Sequence, residues 1–319
     1  MTDGMGLPTA SASGTVSESV NRRVTLAPNT AEMLANNPRP ELSEIDVFGL
    51  TNTGKVRKVN ADHFLIASFH RTLHVHNTSL TGDVGPTETQ NRGFMMMVAD
   101  GVGGLPTAGE GSAEAVKSMV QHLLHATELT SSLVLLNEND AVEQLRAAVM
   151  DAHEKVVAKG AAEGRKPATT LTMFAGFWPR CFIVNAGDSR YYRVRNGRLE
   201  RFTVDQTMAE VMVESGALSR EKAEASRLKH VLWSAVGNEE LRPDVRVIDI
   251  VRPDRHLLCT DGLTKHVTDD EIKEHLMKDE SSEAIVRGLV NLALERGGTD
   301  NVTVVMLQIA DAQTLAAIS

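Results

Sequence analysis

An apolar run that ends on a carboxylate and a glycine-rich turn restricts the fold of this chain more than any other feature. The run is FMMMVADGVGG, in which Asp100 follows six apolar or small residues and precedes three glycines within four positions. Other segments with the composition of strands also begin or end on an aspartate. Three of these aspartates stand at strand exits, namely Asp100, Asp188 and Asp261, and two stand at strand entries, namely Asp62 and Asp300.

Strand ends of this kind predict that the five aspartates meet at one edge of the core. In an antiparallel sheet the exit of one strand lies beside the entry of its neighbour. Carboxylates gathered in one cleft repel each other unless a cation neutralises them. Ligation by oxygen alone indicates Mg²⁺ or Mn²⁺ rather than zinc. Gly101, Gly187 and Gly262 adjoin three of the aspartates, where they allow sharp bends and a close approach of backbone carbonyls to a metal.

A plain structural interpretation competes with the metal site. Asp-Gly is a common turn dipeptide and aspartate often caps helices, which accounts well for any one of these positions. Five aspartates at matching strand ends, three of them with an adjacent glycine, are harder to explain as separate turns. The metal site is therefore the favoured interpretation of the set.

The order of the predicted elements indicates an α+β fold. Apolar residues recur with helical spacing in SAEAVKSMVQHLLHATEL and in AVEQLRAAVMDAHEKVVAKG, which predicts two amphipathic helices that cover a sheet. The strand-like segments are clustered and do not alternate strictly with helices. This arrangement favours largely antiparallel sheets over a doubly wound parallel sheet.

Composition excludes several classes of protein. The net charge of −9 argues against non-specific nucleic-acid binding, which needs a basic face. No apolar run reaches about 18 residues, so no membrane span is expected. Cys181 and Cys259 lie inside apolar runs without a CxxC or Cys/His cluster, which predicts two reduced core cysteines and no zinc site. The first residues lack the pattern of a secretory signal, so a cytoplasmic location is expected.

The chain is predicted to hold one domain between two tails. Residues 1–40 are rich in small and polar residues and predict a disordered tail, residues 41–310 the domain, and residues 311–319 a second tail. Residues 70–92 are polar and turn-rich, which predicts an elaborated hairpin loop. Its histidines could be metal ligands, but a solvated loop is the favoured interpretation because no carboxylate cluster accompanies His70, His74 and His76.

Several of these stretches together resemble a known family. They are GKVRKVNAD, VADGVGG, ATTLTMFAG, NAGDSRYYRVRNGRL, TVDQTM, LLCTDGLTKHVTDDEI and GGTDNVTVVML, in this order over roughly residues 44–309. The family is that of the metal-dependent Ser/Thr protein phosphatases, type 2C or PPM, in its bacterial form. The resemblance implies two mainly antiparallel sheets packed as a sandwich and flanked on the outside by pairs of helices.

The resemblance also implies roles for the aspartates. Asp100 would bridge two metal ions, and the carbonyl of Gly101 would bind one of them. Asp261 and Asp300 would complete the coordination of the first ion, and Asp62 would hold the second ion largely through waters. The implied cofactors are two Mn²⁺ or Mg²⁺ ions.

Further positions follow the family's pattern in part. Arg57 would bind the substrate phosphate, and Asp188 would join Asp261 in a weaker third metal site. The third ion is doubtful, because the family often has aspartate where this chain has Lys265. A glutamate is usual at the position of Ala61, and the histidine that some members use as general acid is replaced by Val102.

The implied activity is hydrolysis of phosphoserine and phosphothreonine in proteins by a metal-activated water. An alternative is a catalytically weak relative that binds phosphoproteins, and a third is a hydrolase of small phosphoesters. The implied partners are phosphorylated proteins that are targets of a Ser/Thr kinase, and the chain is expected to be a monomer. Residues 205–240 would form either the family's mobile flap or a plain helical excursion.

Overall fold

Two antiparallel sheets make up the framework of the protein. The computed structural model describes residues 37–72, 88–102, 108–125 and 138–309. The strands are β1 (Ile45–Asn52), β2 (Asp62–Thr72), β3 (Glu88–Val102), β4 (Ala168–Thr169), β5 (Leu171–Phe177), β6 (Arg180–Ala186), β7 (Arg190–Arg195), β8 (Arg198–Arg201), β9 (Asp244–Asp249), β10 (Arg255–Cys259) and β11 (Val302–Ile309). The helices are α1 (Ala108–His125), α2 (Glu138–Ala162), α3 (Met208–Glu214), α4 (Arg220–Ala225), α5 (Asp261–Thr264), α6 (Asp269–Leu276) and α7 (Ser282–Glu295).

Strand pairing follows the predicted antiparallel pattern. One sheet has the order β1-β11-β10-β7-β8, and the other has the order β2-β3-β5-β6-β9 with β4 added on β3. Within each sheet, neighbouring strands run antiparallel to each other. The expectation of an α+β fold with two mainly antiparallel sheets is confirmed.

Apolar layers on both faces of the sheets explain why the strands lack a strict alternation of polar and apolar residues. Met96 and Val98 of β3 lie in the core between the sheets, together with Tyr191 and Val305 from the other sheet. The intervening Met97 packs instead in a second core with α1 and α2. A strand that is buried on both faces reads as a continuous apolar run, as FMMMVA does.

Helices cover the outer face of each sheet, as expected from the resemblance. The predicted apolar stripe of α2 is buried against one sheet through Leu145, Val149, Ala152 and Val156. On the opposite sheet, α6 and α7 contribute to a third core. In the described part of the chain, no helix combines the length and the apolar character that a membrane span would need.

The hairpin between β2 and β3 is longer than the sequence predicts. Residues 70–92 were expected to form a loop, but Arg71 pairs with Thr89 and Thr72 with Glu88. That expectation is wrong at both ends of the segment, because ladder hydrogen bonds join backbone groups and tolerate polar side chains. The tip, including His74 and His76, lies outside the described residues, as do residues 1–36 and 311–319 of the two expected tails.

The excursion at residues 205–240 is only partly helical. It holds the short helices α3 and α4 and a 3-10 turn at Arg227–His230. Its two ends are tied together, since the Met208 amide donates to the Val231 carbonyl at 2.8 Å and the Trp233 amide donates to the Gln206 carbonyl at 3.0 Å. The segment therefore leaves and rejoins the domain at one place.

Candidate active site

The sheet edges bring the five predicted aspartates to one region of the domain, where four of them line a cleft. Asp62 and Asp100 are directly opposite each other in the β2–β3 ladder. The other three lie just outside strands: Asp188 between β6 and β7, Asp261 after β10, and Asp300 before β11. The cleft has a volume of about 700 Å³, and all of these aspartates except Asp62 line it. Asp62 is buried behind the cleft wall.

Asp62 is held through one of its carboxylate oxygens. Its Oδ2 accepts hydrogen bonds from the hydroxyls of Thr260 at 2.8 Å and Thr303 at 2.7 Å. Its Oδ1 is buried and has no hydrogen-bond partner among the described residues. Burial raises the pKa of Asp62 to about 7, and the nearby charges of Asp261 and Asp300 act in the same direction.

Asp100 is held in place by hydrogen bonds of its backbone amide and carbonyl. The Asp100 amide donates to Thr170 Oγ1 at 3.0 Å, and its carbonyl accepts from the Thr170 amide at 2.9 Å. The next amide, that of Gly101, donates to the Ala61 carbonyl at 3.2 Å. Burial raises the pKa of Asp100 well above its usual value, and the charge of Asp62 raises it further.

Asp188 lies on a turn that its neighbours hold closed. Gly187 has φ +109°, and a Cβ there would come within 2.6 Å of Thr170 Cγ2, so this position requires glycine. The Gly187 amide donates to Gln206 Oε1 at 3.0 Å, and the Gln206 amide donates to the Gly187 carbonyl at 3.0 Å. Burial raises the pKa of Asp188, with a further contribution from Asp261.

Asp261 and Asp300 share one cation, the ammonium of Lys265. Lys265 Nζ lies 2.5 Å from Asp261 Oδ2 and 2.6 Å from Asp300 Oδ2. Burial lowers the pKa of Lys265, but the charges of Asp261 and Asp300 outweigh burial and raise it above its usual value. The sequence predicted that Lys265 would oppose a third ion; in the structure its ammonium contacts the pair expected to hold the first ion.

Arg57 lies on the rim of the cleft and also contacts Asp300. Its guanidinium makes two hydrogen bonds, from Nε to Oδ1 at 2.8 Å and from the terminal nitrogen to Oδ2 at 3.0 Å. Burial raises the pKa of Asp300, but Lys265 and then Arg57 outweigh burial and lower it below its usual value. The Arg57 side chain is 43% exposed, although Asp300 occupies two nitrogens of its fork.

Asn301 fixes the loop that carries Arg57. Its side-chain nitrogen donates to the carbonyls of Thr53 at 2.8 Å and Val59 at 3.0 Å, and its oxygen accepts from the Ala61 amide at 2.8 Å. One side chain thus bridges both ends of the loop. Sequence reasoning overlooked Asn301, although its position directly after Asp300 was a usable signal.

Thr260 and Thr303 were also overlooked. Both are fully buried, and their hydroxyls are the only hydrogen-bond donors to the Asp62 carboxylate among the described residues. Thr260 directly precedes Asp261, but nothing in the sequence connects Thr303 with Asp62. The Ala61 side chain adds no ligand, and Val102 is 42% exposed on the cleft wall.

The donor set fits a hard divalent ion. Two buried carboxylate oxygens, Asp62 Oδ1 and Asp261 Oδ1, lack hydrogen-bond partners among the described residues. Orphaned buried oxygens are costly unless a cation or donor satisfies them. Elevated pKa values for Asp62, Asp100 and Asp188 have the same meaning, since the carboxylates cannot all be charged without a counter-ion. As they stand, no three acidic, histidine or cysteine side chains in the described ranges are grouped closely enough to hold an ion.

Comparisons with known proteins identify the family of this chain. The sequence profile of the family described as Protein phosphatase 2C matches residues 72–301. Serine/threonine protein phosphatase PstP of Mycobacterium tuberculosis is 33% identical over 221 residues, which cover 68% of this chain and 40% of that protein. This chain therefore matches less than half of the length of that relative.

Solved structures give the same result. The M. tuberculosis serine/threonine phosphatase PstP/Ppp superposes with a TM-score of 0.66 at 26% identity, covering 84% of this chain and 99% of that one. A catalytic domain of PstP in complex with two manganese ions has a TM-score of 0.64 at 26% identity and the same coverage. The fold and the sequence profile together show that this chain belongs to the protein phosphatase 2C family.

Proposed function

We propose that this chain hydrolyses phosphoserine and phosphothreonine esters in proteins with the help of two divalent ions. The observation that carries the proposal is that four of the predicted aspartates line one cleft with Asp62 buried behind its wall, and that two buried carboxylate oxygens lack partners among the described residues. The proposed ligands are Asp62, Asp100, the carbonyl of Gly101, Asp261 and Asp300. Asp188 would contribute only if a third ion binds.

Each group of the site has a separate task in this proposal. When bound, Mn²⁺ or Mg²⁺ would supply an activated water and positive charge for the phosphoryl oxygens. Asp62 and Asp100, opposite each other on adjacent strands, present carboxylates from the deep side of the cleft. Arg57 binds the substrate phosphate from the rim, because its planar fork matches two phosphate oxygens. Val102 has no proton to donate, and in this proposal a water molecule would protonate the leaving oxygen.

Manganese-dependent turnover tests this function. We expect a phosphothreonine peptide to be hydrolysed with Mn²⁺ and not with EDTA, and Asp261→Asn to lose activity by at least a hundredfold because it removes a charged ligand. A matched control is Asp279→Asn, a carboxylate outside the cleft lining. Mn²⁺ binding without turnover would instead support the phosphoprotein-binding alternative.

The choice of substrate needs a second comparison. We expect the phosphothreonine peptide to be preferred over a generic aryl phosphate, since a wide cleft bordered by the 205–240 segment leaves room for a peptide. Residues His230 and Val231 of that segment line the cleft, which supports a role as a flap over the substrate. Equal turnover of both substrates would favour a hydrolase of small phosphoesters.

The remaining biological expectations are proposals of the same kind. Phosphorylated proteins that a Ser/Thr kinase modifies are the proposed partners, and a monomer is the proposed state. Cys181 and Cys259 are unpaired and buried, which supports a reducing, cytoplasmic environment. The choice between Mn²⁺ and Mg²⁺ calls for a direct comparison of affinity and turnover.

A further inference from the structure

Lys265 has a position that the fold determines closely. It is the C-cap of the short helix α5, and its amide donates to the Asp261 carbonyl at 2.8 Å. One helical turn therefore separates Lys265 from Asp261. Gly262 allows this turn to pack closely on the segment just before β11, because a Cβ at that position would lie 1.8 Å from the Asn301 carbonyl oxygen.

The Lys265 ammonium bridges two carboxylates that are far apart in the sequence. It lies 2.5 Å from Asp261 Oδ2 and 2.6 Å from Asp300 Oδ2, and its side chain is only 22% exposed. Solvent and salt screen ion pairs in such a partly buried place less than they screen surface pairs. The ammonium thus offsets part of the negative charge of the cleft.

The carboxylates of Asp300 and Asp62 differ in the groups that donate hydrogen bonds to them. Asp300 has donors on both oxygens, with Arg57 and the Asn301 amide on Oδ1 and with Arg57 and Lys265 on Oδ2. Asp62, in contrast, is held by the hydroxyls of Thr260 and Thr303, which carry no charge. A dication that shares oxygens with Asp62 and Asp100 meets no ammonium there, whereas one that binds Asp261 and Asp300 does.

We propose that Lys265 is a tethered cation that holds Asp261 and Asp300 together before metal binds and must leave them when an ion binds this pair. An ammonium and a dication on the same two oxygens would be like charges in contact, so the two states exclude each other. The ion at Asp261 and Asp300 is then the weaker of the two, and Lys265 sets its affinity. This inference rests on the proposed function only in requiring that the site binds divalent ions.

A calorimetric titration of the full metal-free chain with Mn²⁺ tests the proposal. The variants are Lys265→Met, which removes the ammonium, and Lys58→Met, which removes the same charge from the lining of the same cleft. For Lys265→Met we expect the weaker binding step to become at least about tenfold tighter and the tighter step to change less than about threefold. For Lys58→Met both steps should change less than about threefold.

Thermal unfolding gives a second readout that does not depend on turnover. In EDTA, Lys265→Met should unfold at a lower temperature than the unchanged protein, because Asp261 and Asp300 lose their counter-ion. Saturating Mn²⁺ should raise its unfolding temperature by more than that of the unchanged protein. If Lys265→Met does not fold without metal, Lys265→Arg provides the comparison, with both binding steps expected within about threefold of the unchanged protein.

The outcomes separate this inference from the proposed function. Two Mn²⁺ steps that Lys265→Met leaves unchanged or weakens would overturn the role of Lys265 and leave the phosphatase proposal intact. An equal gain in Lys58→Met would also overturn it, since the effect would then reflect net charge alone. A chain that binds no Mn²⁺ in any variant would overturn both.

Discussion

At the residue scale, the site consists of a few charged groups whose neighbours decide what they do. Asp62, Asp261 and Asp300 differ mainly in their donors, which are hydroxyls for the first, an ammonium for the second, and an ammonium and a guanidinium for the third. Sequence reasoning named all three residues. It named Arg57 and Lys265 in other roles and did not connect any of the donors with these carboxylates, because contacts between remote segments leave no pattern in a single chain.

Replacing Thr303 with valine should weaken metal binding without removing a ligand. The Thr303 hydroxyl orients the Asp62 carboxylate at 2.7 Å, and loss of such an outer contact typically costs roughly ten- to a hundredfold in metal affinity. Mn²⁺ affinity is the measurement, and Thr303→Ser should restore it because the hydroxyl is retained. Equal affinities for the valine variant and the unchanged protein would show that Asp62 is oriented by other contacts.

Replacing Arg57 with alanine should reduce the catalytic efficiency on a phosphothreonine peptide. Charged hydrogen bonds of a bidentate fork are worth about 1.5–3 kcal/mol, so kcat/KM should fall by roughly ten- to a hundredfold. Arg57→Lys should recover only part of the loss, since a point charge cannot reproduce the fork. The proposed phosphate contact would be wrong if the alanine variant kept its full kcat/KM.

At the element scale, short connections between strands position the site. The segment DGLT was expected only as a strand exit, but it forms the helix α5, which directs Lys265 back towards Asp261. The loop with Arg57 is likewise shaped by Asn301 and not by its own sequence. A turn of four residues has little intrinsic helical stability, so its tertiary contacts decide its conformation.

Replacing Gly262 with alanine should destabilise the whole domain. The new Cβ would lie 1.8 Å from the Asn301 carbonyl oxygen, so either α5 or the start of β11 must shift. We expect the free energy of unfolding in urea to fall by about 3 kcal/mol, at the upper end of the usual cost of overpacking.

Gly288→Ala is the matched control for that experiment. Gly288 lies within α7, and a Cβ there would meet only the His275 ring at 3.4 Å. Alanine is the better helix former, so this variant should keep or slightly gain stability. A Gly262→Ala variant as stable as this control would contradict the close packing of α5 on β11.

At the scale of the whole molecule, two sheets and three apolar cores form the framework. Some polar side chains are buried within this framework. His256 is the clearest example, since it is fully buried between the sheets and its Nδ1 lies 2.8 Å from the Tyr191 hydroxyl. Its Nε2 has no partner among the described residues. Burial lowers the pKa of His256 to about 4, and the charges of Arg193 and Arg195 act in the same direction against that of Asp254.

The protein should therefore lose stability in mild acid. In the unfolded chain a histidine binds its proton near pH 6.5, whereas His256 in the folded protein does so only near pH 4. The contribution of neutral His256 to the free energy of unfolding is fully present above pH 6.5 and is lost as the pH falls towards 4. At pH 5 the loss is about 2 kcal/mol.

Urea unfolding in EDTA at pH 7.5 and pH 5 measures this effect. The control is His256→Gln, which keeps a polar group for Tyr191 and does not titrate. Its stability should fall less between the two pH values, by about 2 kcal/mol, than that of the unchanged protein. Identical pH dependences would show that His256 is already protonated in the folded protein at pH 5.

The sequence by itself determined the fold class, the family and the identity of the aspartates, because apolar runs, strand-end carboxylates and the order of motifs are properties of adjacent residues. It also predicted two buried cysteines, and both Cys181 and Cys259 are buried in the structure. Only the tertiary structure decided that Lys265 bridges Asp261 and Asp300, that hydroxyls hold Asp62, and that β2 and β3 extend into the polar hairpin. These features depend on which strands pair and where each turn directs a side chain, and such distances arise only when the two sheets pack.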